Sequence, residues 1–221
     1  MLIRGRMTRE VVTISPARTL LEALKLTRSH RIRHLPVVEG RRLVGIVSDR
    51  DLRLALPALG AAPEPERRRL LETTRVASVM VRDPITTTPD TPLEEAARLM
   101  YVHRIGCLPV EEQGTLVGIV TESDVLCGLV ELYGGHERSS RLEVRMPRRP
   151  GELARVVRLI GIDHRLSIRG IAFPPVSGSD SLAIIHVDTN DPQGVAEALE
   201  RLGYDVAPAA ADSTPSLSAT P

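Results

Sequence analysis

A hydroxyl residue followed three positions later by an aspartate occurs twice in the chain, each time directly after the tripeptide Gly-Ile-Val. The two pairs are Ser48 with Asp51 and Thr121 with Asp124. A carboxylate can accept hydrogen bonds from two adjacent hydroxyl groups, and a hydroxyl at the start of a helix, beside unpaired backbone N–H groups, suits an anion. The same spacing is also typical of a helix cap that binds nothing. Both interpretations stay open on these residues alone.

The two pairs belong to an internal repeat. Residues 7–53 align with residues 80–126 without a gap, at an offset of 73 positions, and 21 of the 47 aligned positions are identical. Such a repeat indicates two copies of one supersecondary unit, each too small to bury its apolar face alone. We therefore expect function between the copies, in two related clefts, rather than in a single catalytic centre.

Each copy is predicted to run strand, helix, strand, strand, helix. The predicted strands cover 11–16, 35–38 and 43–47 in the first copy and 85–89, 108–110 and 116–120 in the second. Apolar residues at helical spacing follow the first strand, and a glycine turn joins the other two. The closing helix begins at Asp49 or Glu122, where an acid suits the first turn.

The pattern changes after residue 135. Strands are predicted over 142–146, 166–173 and 181–188, with a last strand from Tyr204. A helix follows Gly151, and a second helix opens with Asp191 as its N-cap and Pro192 at its first position. The order strand, helix, strand, strand, helix, strand is the ferredoxin-like arrangement.

Composition excludes several classes of partner. The 221 residues are 42% hydrophobic but 2% aromatic, and the net charge is +1. The core must therefore be aliphatic, and both the aromatic platforms and the basic surface of a nucleic-acid binder are lacking. There is neither a signal peptide nor an apolar run of membrane-spanning length. We expect a cytoplasmic protein without nucleic-acid or membrane partners.

No group of residues has the spacing of a catalytic or metal centre. The six histidines lack metal-ligand spacing, and the P-loop, nucleophile-elbow and dinucleotide-binding motifs do not occur. Cys107 and Cys127 lie in apolar settings and are interpreted as small buried side chains in a reducing compartment. The sequence thus predicts a protein that is not an enzyme, with neither a metal nor a catalytic cofactor.

The repeated motif carries a family resemblance. Gly-Ile-Val-Ser/Thr-x-x-Asp, preceded by Arg-Ile-x-x-Leu-Pro-Val, resembles the signature of the CBS domain, here as a tandem pair (a Bateman module) over roughly residues 1–135. The Arg-Pro-Gly-x-Leu turn and strand order of the last part resemble an ACT domain. The combination is similar to the acetoin-utilisation CBS–ACT family of regulatory proteins.

The resemblance implies an α+β protein whose α/β-type repeats form a CBS pair, followed by a ferredoxin-like ACT domain. The predicted segments are 1–56 for the first repeat, 57–78 for a linker, 79–135 for the second repeat, 140–208 for the ACT-like domain and 209–221 for a disordered tail.

The resemblance also assigns roles to residues in two adenosine sites. It implies that Asp51 and Asp124 bind ribose hydroxyls and that Ser48 and Thr121 face phosphates, while Arg50 is a further candidate for a phosphate contact. The adenine contacts would come from the partner copy. The residues opposite Asp124 are Val12, Ile32 and Arg33, with His34 beside them, and those opposite Asp51 are Ile85, Ile105 and Gly106. Because Gly106 stands where the first copy has Arg33, the two sites are expected to differ.

The ACT-like part is expected to support dimerisation. Members that bind amino acids often carry an acid or amide just before the Arg-Pro-Gly turn, whereas this chain has Arg148 there. An arginine repels an ammonium group and attracts an acidic ligand. An amino-acid site formed by Arg148, Pro150 and Gly151 is the lesser interpretation.

We therefore predict a non-enzymatic regulator, a homodimer or higher homo-oligomer, that senses ATP, ADP, AMP or S-adenosylmethionine between its CBS repeats and acts on an unidentified enzyme. The alternatives are an oligomerisation scaffold with empty clefts, an amino-acid sensor working through the ACT part, and an enzyme subunit. A panel of ligands tested against the purified protein separates these alternatives.

Overall fold

The structure is a computed structural model that describes residues 1–55, 63–132 and 139–207. The chain divides into two compact units, Met1–Leu126 and Cys127–Pro221, and each is described by itself. The predicted disorder of residues 209–221 and the first part of the predicted linker lie outside the described residues.

The first unit contains both copies of the repeat. The first copy comprises α1 (Leu20–Ser29), β1 (His34–Glu39), β2 (Arg42–Ser48) and α2 (Asp49–Leu54). The helix α3 (Glu64–Thr73) and the short β3 (Val81–Arg82) follow. The second copy comprises α4 (Leu93–His103), β4 (Cys107–Glu112), β5 (Thr115–Thr121) and α5 (Glu122–Leu132), a helix that runs past the end of the unit at Leu126. Strands β1 and β2 pair antiparallel, as do β4 and β5. The core is duplicated, since Leu20, Leu35, Leu93 and Leu108 are all fully buried.

The predicted first strand of each copy is wrong in extent. Residues 11–16 and 85–89 each contribute a single parallel bridge, Ile14 to Val37 and Thr87 to Val110. Each segment ends in a proline, which cannot donate a ladder hydrogen bond. The chain therefore touches the sheet at one residue and then turns into the helix.

The two copies exchange their leading segments. The Leu93 N–H group donates to the Met1 carbonyl over 2.9 Å, so the start of the chain lies against the second copy. In the same way the Leu20 N–H group donates to the Thr74 carbonyl over 3.0 Å, so the segment that leads into the second copy lies against the first. Each copy thus completes the other, as expected for repeats that cannot bury their apolar faces alone.

The glycine of each Gly-Ile-Val tripeptide lies where the exchanged segments cross. A Cβ atom built on Gly45 would be 2.9 Å from the Val81 carbonyl oxygen, and one on Gly118 would be 3.1 Å from the Thr8 carbonyl oxygen. A methionine Sδ atom, of Met80 or Met7, would also lie 2.8 Å away, and the carbonyl oxygen belongs to backbone that cannot move without shifting the strand. Glycine is therefore required at these two positions by the close approach of the copies.

We expect the Gly45→Ala substitution to destabilise the protein by about 1–3 kcal/mol, because the added methyl group overpacks the junction between the copies. The free energy of unfolding in urea measures this effect. Gly5→Ala is the matched control, because a Cβ atom at Gly5 meets no atom within 4 Å. Equal stability of the two variants would contradict the close approach.

The second unit is one antiparallel sheet with two helices. Its elements are β6 (Ser140–Pro147), α6 (Glu152–Arg158), β7 (Ile168–Ala172), β8 (Asp180–Val187), α7 (Gln193–Arg201) and β9 (Asp205–Ala207), with sheet order β7-β8-β6-β9. The element order is that of the ferredoxin-like arrangement. The predicted N-cap of α7 is wrong by one residue, because the helix begins at Gln193 and Pro192 takes the N-cap position. The Asp191 Oδ1 atom, just before the N-cap, accepts from the Gln193 N–H group over 3.1 Å. Assignment of this unit to the ACT family stays a prediction.

Within the described residues, we find no helix that is both long and apolar enough to span a bilayer.

Candidate functional site

Both hydroxyl–aspartate pairs form reciprocal helix caps. The Asp51 Oδ2 atom accepts from the Ser48 N–H group over 2.9 Å and from the Ser48 hydroxyl over 2.6 Å. The Asp124 Oδ2 atom accepts from the Thr121 N–H group over 2.8 Å and from the Thr121 hydroxyl over 2.6 Å. The cap that the spacing predicts is therefore present in both copies.

Capping uses one oxygen of each carboxylate. All these hydrogen bonds end on Oδ2, and the Oδ1 atoms of Asp51 and Asp124 make no hydrogen bond to any residue that the structure describes. Holding Oδ2 fixes the orientation of the carboxylate and leaves Oδ1 able to accept from a ligand. The cap and the ligand interpretations are therefore compatible.

A cleft of about 560 Å³ lies beside Asp51 and is built by both copies. We call it the Asp51 cleft. The first copy contributes Ser48, Arg50 and Asp51, and the second contributes the predicted partners Ile85, Ile105 and Gly106; Arg33 and His34 also line it. Its volume falls in the range of about 300–1,000 Å³ that is usual for small-molecule sites.

A second cleft, of about 240 Å³, lies beside Thr121. We call it the Thr121 cleft. Thr121 and the predicted partners Val12, Ile32, Arg33 and His34 line it, whereas Asp124 is not among its lining residues. The structure thus gathers all the predicted residues of the Asp51 site around one cavity, but leaves the predicted Asp124 site small and without its aspartate.

The two copies differ at one aligned position that lines the clefts. Gly106 lines the Asp51 cleft, and it corresponds to Arg33, which lines both clefts. A Cβ atom added to Gly106 would lie 3.3 Å from the His34 Cε1 atom and 3.5 Å from the Glu122 Oε2 atom. The absence of a side chain at residue 106 therefore keeps the Asp51 cleft open.

Comparison with known proteins identifies the fold of the first unit. The family model of the CBS domain matches residues 3–58 and 76–131. The chain belongs to the CBS domain family. A CBS domain-containing protein of Dictyostelium discoideum is 40% identical over 135 residues, which cover 59% of this chain and 92% of that protein. An inosine-5′-monophosphate dehydrogenase of Korarchaeum cryptofilum is 38% identical over 137 residues, 62% of this chain, but the match spans only 26% of the enzyme.

Solved CBS pairs resemble the chain at similar coverage. A Vibrio cholerae protein assigned to acetoin utilization (AcuB) is 36% identical, with a TM-score of 0.51 over 60% of this chain and 92% of that one. The CBS pair of protein MJ0100, solved with 5′-methylthioadenosine and S-adenosyl-L-methionine, is 27% identical, with a TM-score of 0.51 over 62% and 98%. Protein CBSX2, solved with AMP, is 26% identical, with a TM-score of 0.52 over 59% and 97%. The predicted tandem CBS pair is confirmed.

Sequence reasoning missed several residues of the Asp51 cleft in this CBS pair. Asp83, Pro84, Arg104, Cys107 and Glu122 line it as well. In the repeat, Asp83, Pro84 and Arg104 align with Glu10, Val11 and Arg31, and these three residues line the Thr121 cleft. The alignment of the two copies could therefore have indicated Asp83, Pro84 and Arg104.

Burial shifts the pKa values of two titratable groups in the Asp51 cleft toward the uncharged form. Burial lowers the pKa of the His34 imidazole, and Arg33 lowers it further, against the opposing influence of Glu122 and Asp51. Burial, with a smaller contribution from Glu122, raises the pKa of the Cys107 thiol to about 12. A thiol that stays protonated is a poor nucleophile.

The prediction for the second cysteine is wrong. Cys127 is exposed rather than buried, because it lies on the outer face of α5. As for metals, no group of three or more candidate ligands occurs among residues 1–55, 63–132 and 139–207.

Arginine stands in a left-handed backbone conformation just after the first long helix of each CBS copy. Arg31 has φ 53° and Arg104 has φ 55°. This conformation costs a non-glycine residue about 1–2 kcal/mol, whereas a cation near a helix C-terminus recovers about 0.3–1 kcal/mol. On backbone grounds glycine would therefore be the more stable residue at both positions.

The predicted ACT ligand residues belong to the second unit. The Arg148 guanidinium donates to the backbone carbonyls of Asp180 over 3.0 Å and Val176 over 3.2 Å. Pro150 is exposed, and Gly151, at φ 92°, leads into α6. Arg148 thus fastens the connection between β7 and β8, and a ligand role for these three residues stays a prediction.

Proposed function

We propose that this protein is a non-enzymatic regulator whose CBS pair binds an adenosine-containing ligand in the Asp51 cleft. The main support is the cavity of about 560 Å³ that both copies build beside Asp51. The helix cap fixes the orientation of the Asp51 carboxylate in this cavity. The Thr121 cleft, at about 240 Å³, is too small for the same ligand without rearrangement.

The ligand class is supported by two of the related CBS pairs. One was solved with 5′-methylthioadenosine and S-adenosyl-L-methionine and the other with AMP. These ligands share the adenosine group and differ at the 5′ position. We therefore propose that the Asp51 cleft recognises the adenosine group that these ligands share.

The roles of the residues follow from their chemistry. The Asp51 carboxylate accepts hydrogen bonds from the ribose hydroxyls, chiefly through Oδ1, because Oδ2 already accepts two hydrogen bonds from Ser48. Ile85 and Ile105 provide an apolar wall for the adenine ring, and Gly106 leaves room for it. The ligand would thus contact both copies at once.

Contact with both copies gives a route to regulation. A ligand that touches two walls stabilises the arrangement in which both walls fit, and so shifts the population of the CBS pair toward it. We propose that the second unit, as an ACT-like domain, pairs with another chain and communicates this change to an unidentified partner. The dehydrogenase activity of the Korarchaeum relative is not transferred, because the match spans about a quarter of that enzyme.

Thermal denaturation against a ligand panel tests the proposal. A ligand present at a hundred times its Kd adds about 2.7 kcal/mol, which raises the melting temperature of a chain this long by about 5–10 °C. We expect such a shift with at least one of AMP, ADP, ATP, S-adenosylmethionine and 5′-methylthioadenosine, and none with GMP. No shift with any adenosine compound would contradict adenosine binding and favour a scaffold. A shift with an amino acid alone would favour a sensor in the second unit.

A further inference from the structure

Three arginine side chains line the Asp51 cleft, and they come from three different places in the CBS pair. Arg33 precedes β1, Arg50 lies on α2, and Arg104 follows α4. None of the three guanidinium groups makes a hydrogen bond or an ion pair with a residue in the described part of the chain. Arg53 on the same α2 helix is different, since its Nη2 atom lies 2.7 Å from the Asp49 Oδ2 atom.

The acids of the cleft do not pair with these arginines. Asp49 is paired with Arg53, and Asp51 is engaged in the helix cap. Asp83 and Glu122 are the other two carboxylates in the lining. Neither forms an ion pair with Arg33, Arg50 or Arg104, so the three guanidinium groups remain able to bind an anion that enters the cleft.

The backbone at Arg104 allows the role of its side chain to be tested. Glycine would be the more stable residue at φ 55°, yet the chain has an arginine there. Arg31 and Arg165 have the same conformation, and what distinguishes Arg104 is that it lines the Asp51 cleft.

We propose that the Asp51 cleft selects a phosphorylated adenosine, with Arg33, Arg50 and Arg104 binding the 5′-phosphate groups. The planar guanidinium fork matches phosphate oxygens in a bidentate way, and it is weakly hydrated compared with an ammonium group. A sulfonium ligand such as S-adenosylmethionine brings a positive charge to the same place and is repelled. The inference rests on the proposed function, because it names the 5′ group of the ligand placed in that cleft.

Calorimetric titration of the full chain with AMP, adenosine and S-adenosylmethionine tests the selection. We expect AMP to bind at least about 30-fold more tightly than either of the others, since charge-assisted hydrogen bonds to one phosphate group contribute that much or more. The AMP affinity should also fall with added salt, whereas the adenosine affinity should not.

Glycine substitution separates a phosphate role of Arg104 from a structural one. We expect Arg104→Gly to bind AMP about 10-fold more weakly, to keep its affinity for adenosine, and to melt at the same or a higher temperature, because glycine favours the left-handed conformation. Arg31→Gly is the matched control, since it makes the same change at φ 53° beside the other cleft. It should leave AMP affinity unchanged.

The outcomes distinguish the two proposals. If adenosine or S-adenosylmethionine binds the wild-type chain as tightly as AMP, or if Arg104→Gly keeps wild-type AMP affinity, selection by the arginines is wrong and adenosine binding stands. If Arg104→Gly weakens AMP and adenosine equally, the arginine acts on the shape of the cleft and not on phosphate, which again overturns the inference. If no adenosine compound binds the wild-type chain, both proposals fail.

Discussion

The Asp51→Asn variant is expected to bind its adenosine ligand about 100-fold more weakly than the wild type while remaining folded. Each hydrogen bond from a ribose hydroxyl to the charged carboxylate contributes about 1.5–3 kcal/mol to the binding free energy. Because the amide of asparagine retains part of this contribution, we expect a total loss of binding free energy of about 3 kcal/mol. The asparagine carbonyl can still accept from the Ser48 N–H group, which preserves much of the helix cap. Calorimetric titration with AMP measures the effect.

The second copy provides the matched control for this substitution. Asp124→Asn alters the same type of cap, in which Oδ2 accepts from Thr121, but Asp124 is not among the residues that line the Thr121 cleft. We expect a similar small loss of stability and unchanged AMP affinity. Equal weakening by the two variants would show that the cap, and not the ribose contact, governs binding.

The Gly106→Arg variant is expected to abolish measurable ligand binding at millimolar concentration. The substitution introduces at residue 106 the arginine that the first copy has at the equivalent position, Arg33. Arg33 lines the smaller Thr121 cleft, so the fold of a CBS copy tolerates an arginine there. The Cβ atom of the new arginine would lie 3.3 Å from the His34 Cε1 atom, so the imidazole ring of His34 must shift slightly. The rest of the arginine side chain then fills the cavity. Thermal shift and calorimetry with AMP provide the measurement.

A smaller substitution at the same position controls for this one. Gly106→Ala adds only the Cβ atom and should weaken AMP binding by about 10-fold, the lower end of the effect of one misplaced methyl group. The melting temperatures of both variants check that the fold is kept. A Gly106→Arg protein that binds AMP as the wild type does would show that the ligand lies elsewhere.

The repeat made most of the CBS pair predictable. The offset of 73 residues placed the strands and the caps of both copies from local pattern alone. It also grouped Ile85, Ile105 and Gly106 with Asp51 through the family resemblance, and the structure brings these four residues to one cavity. Sequence patterns predict helix caps and short strands well, because these features depend on residues that are close together in the chain.

What the sequence did not predict depends on contacts between distant segments. Nothing local indicates that Met1 would accept a hydrogen bond from Leu93, or that Thr74 would accept one from Leu20. The unequal volumes of the clefts depend on side chains that both copies bring together, which no periodicity encodes. The length of the first strands was overestimated because extended residues before a proline resemble a strand in composition.

A crystal structure of the chain with AMP tests ribose binding by Asp51 most directly. We expect adenosine in the Asp51 cleft, with a ribose hydroxyl within hydrogen-bond distance of the Asp51 Oδ1 atom and the adenine ring beside Gly106. Adenosine bound only beside Thr121, or a filled Asp51 cleft in which Asp51 contacts no ligand atom, would contradict it.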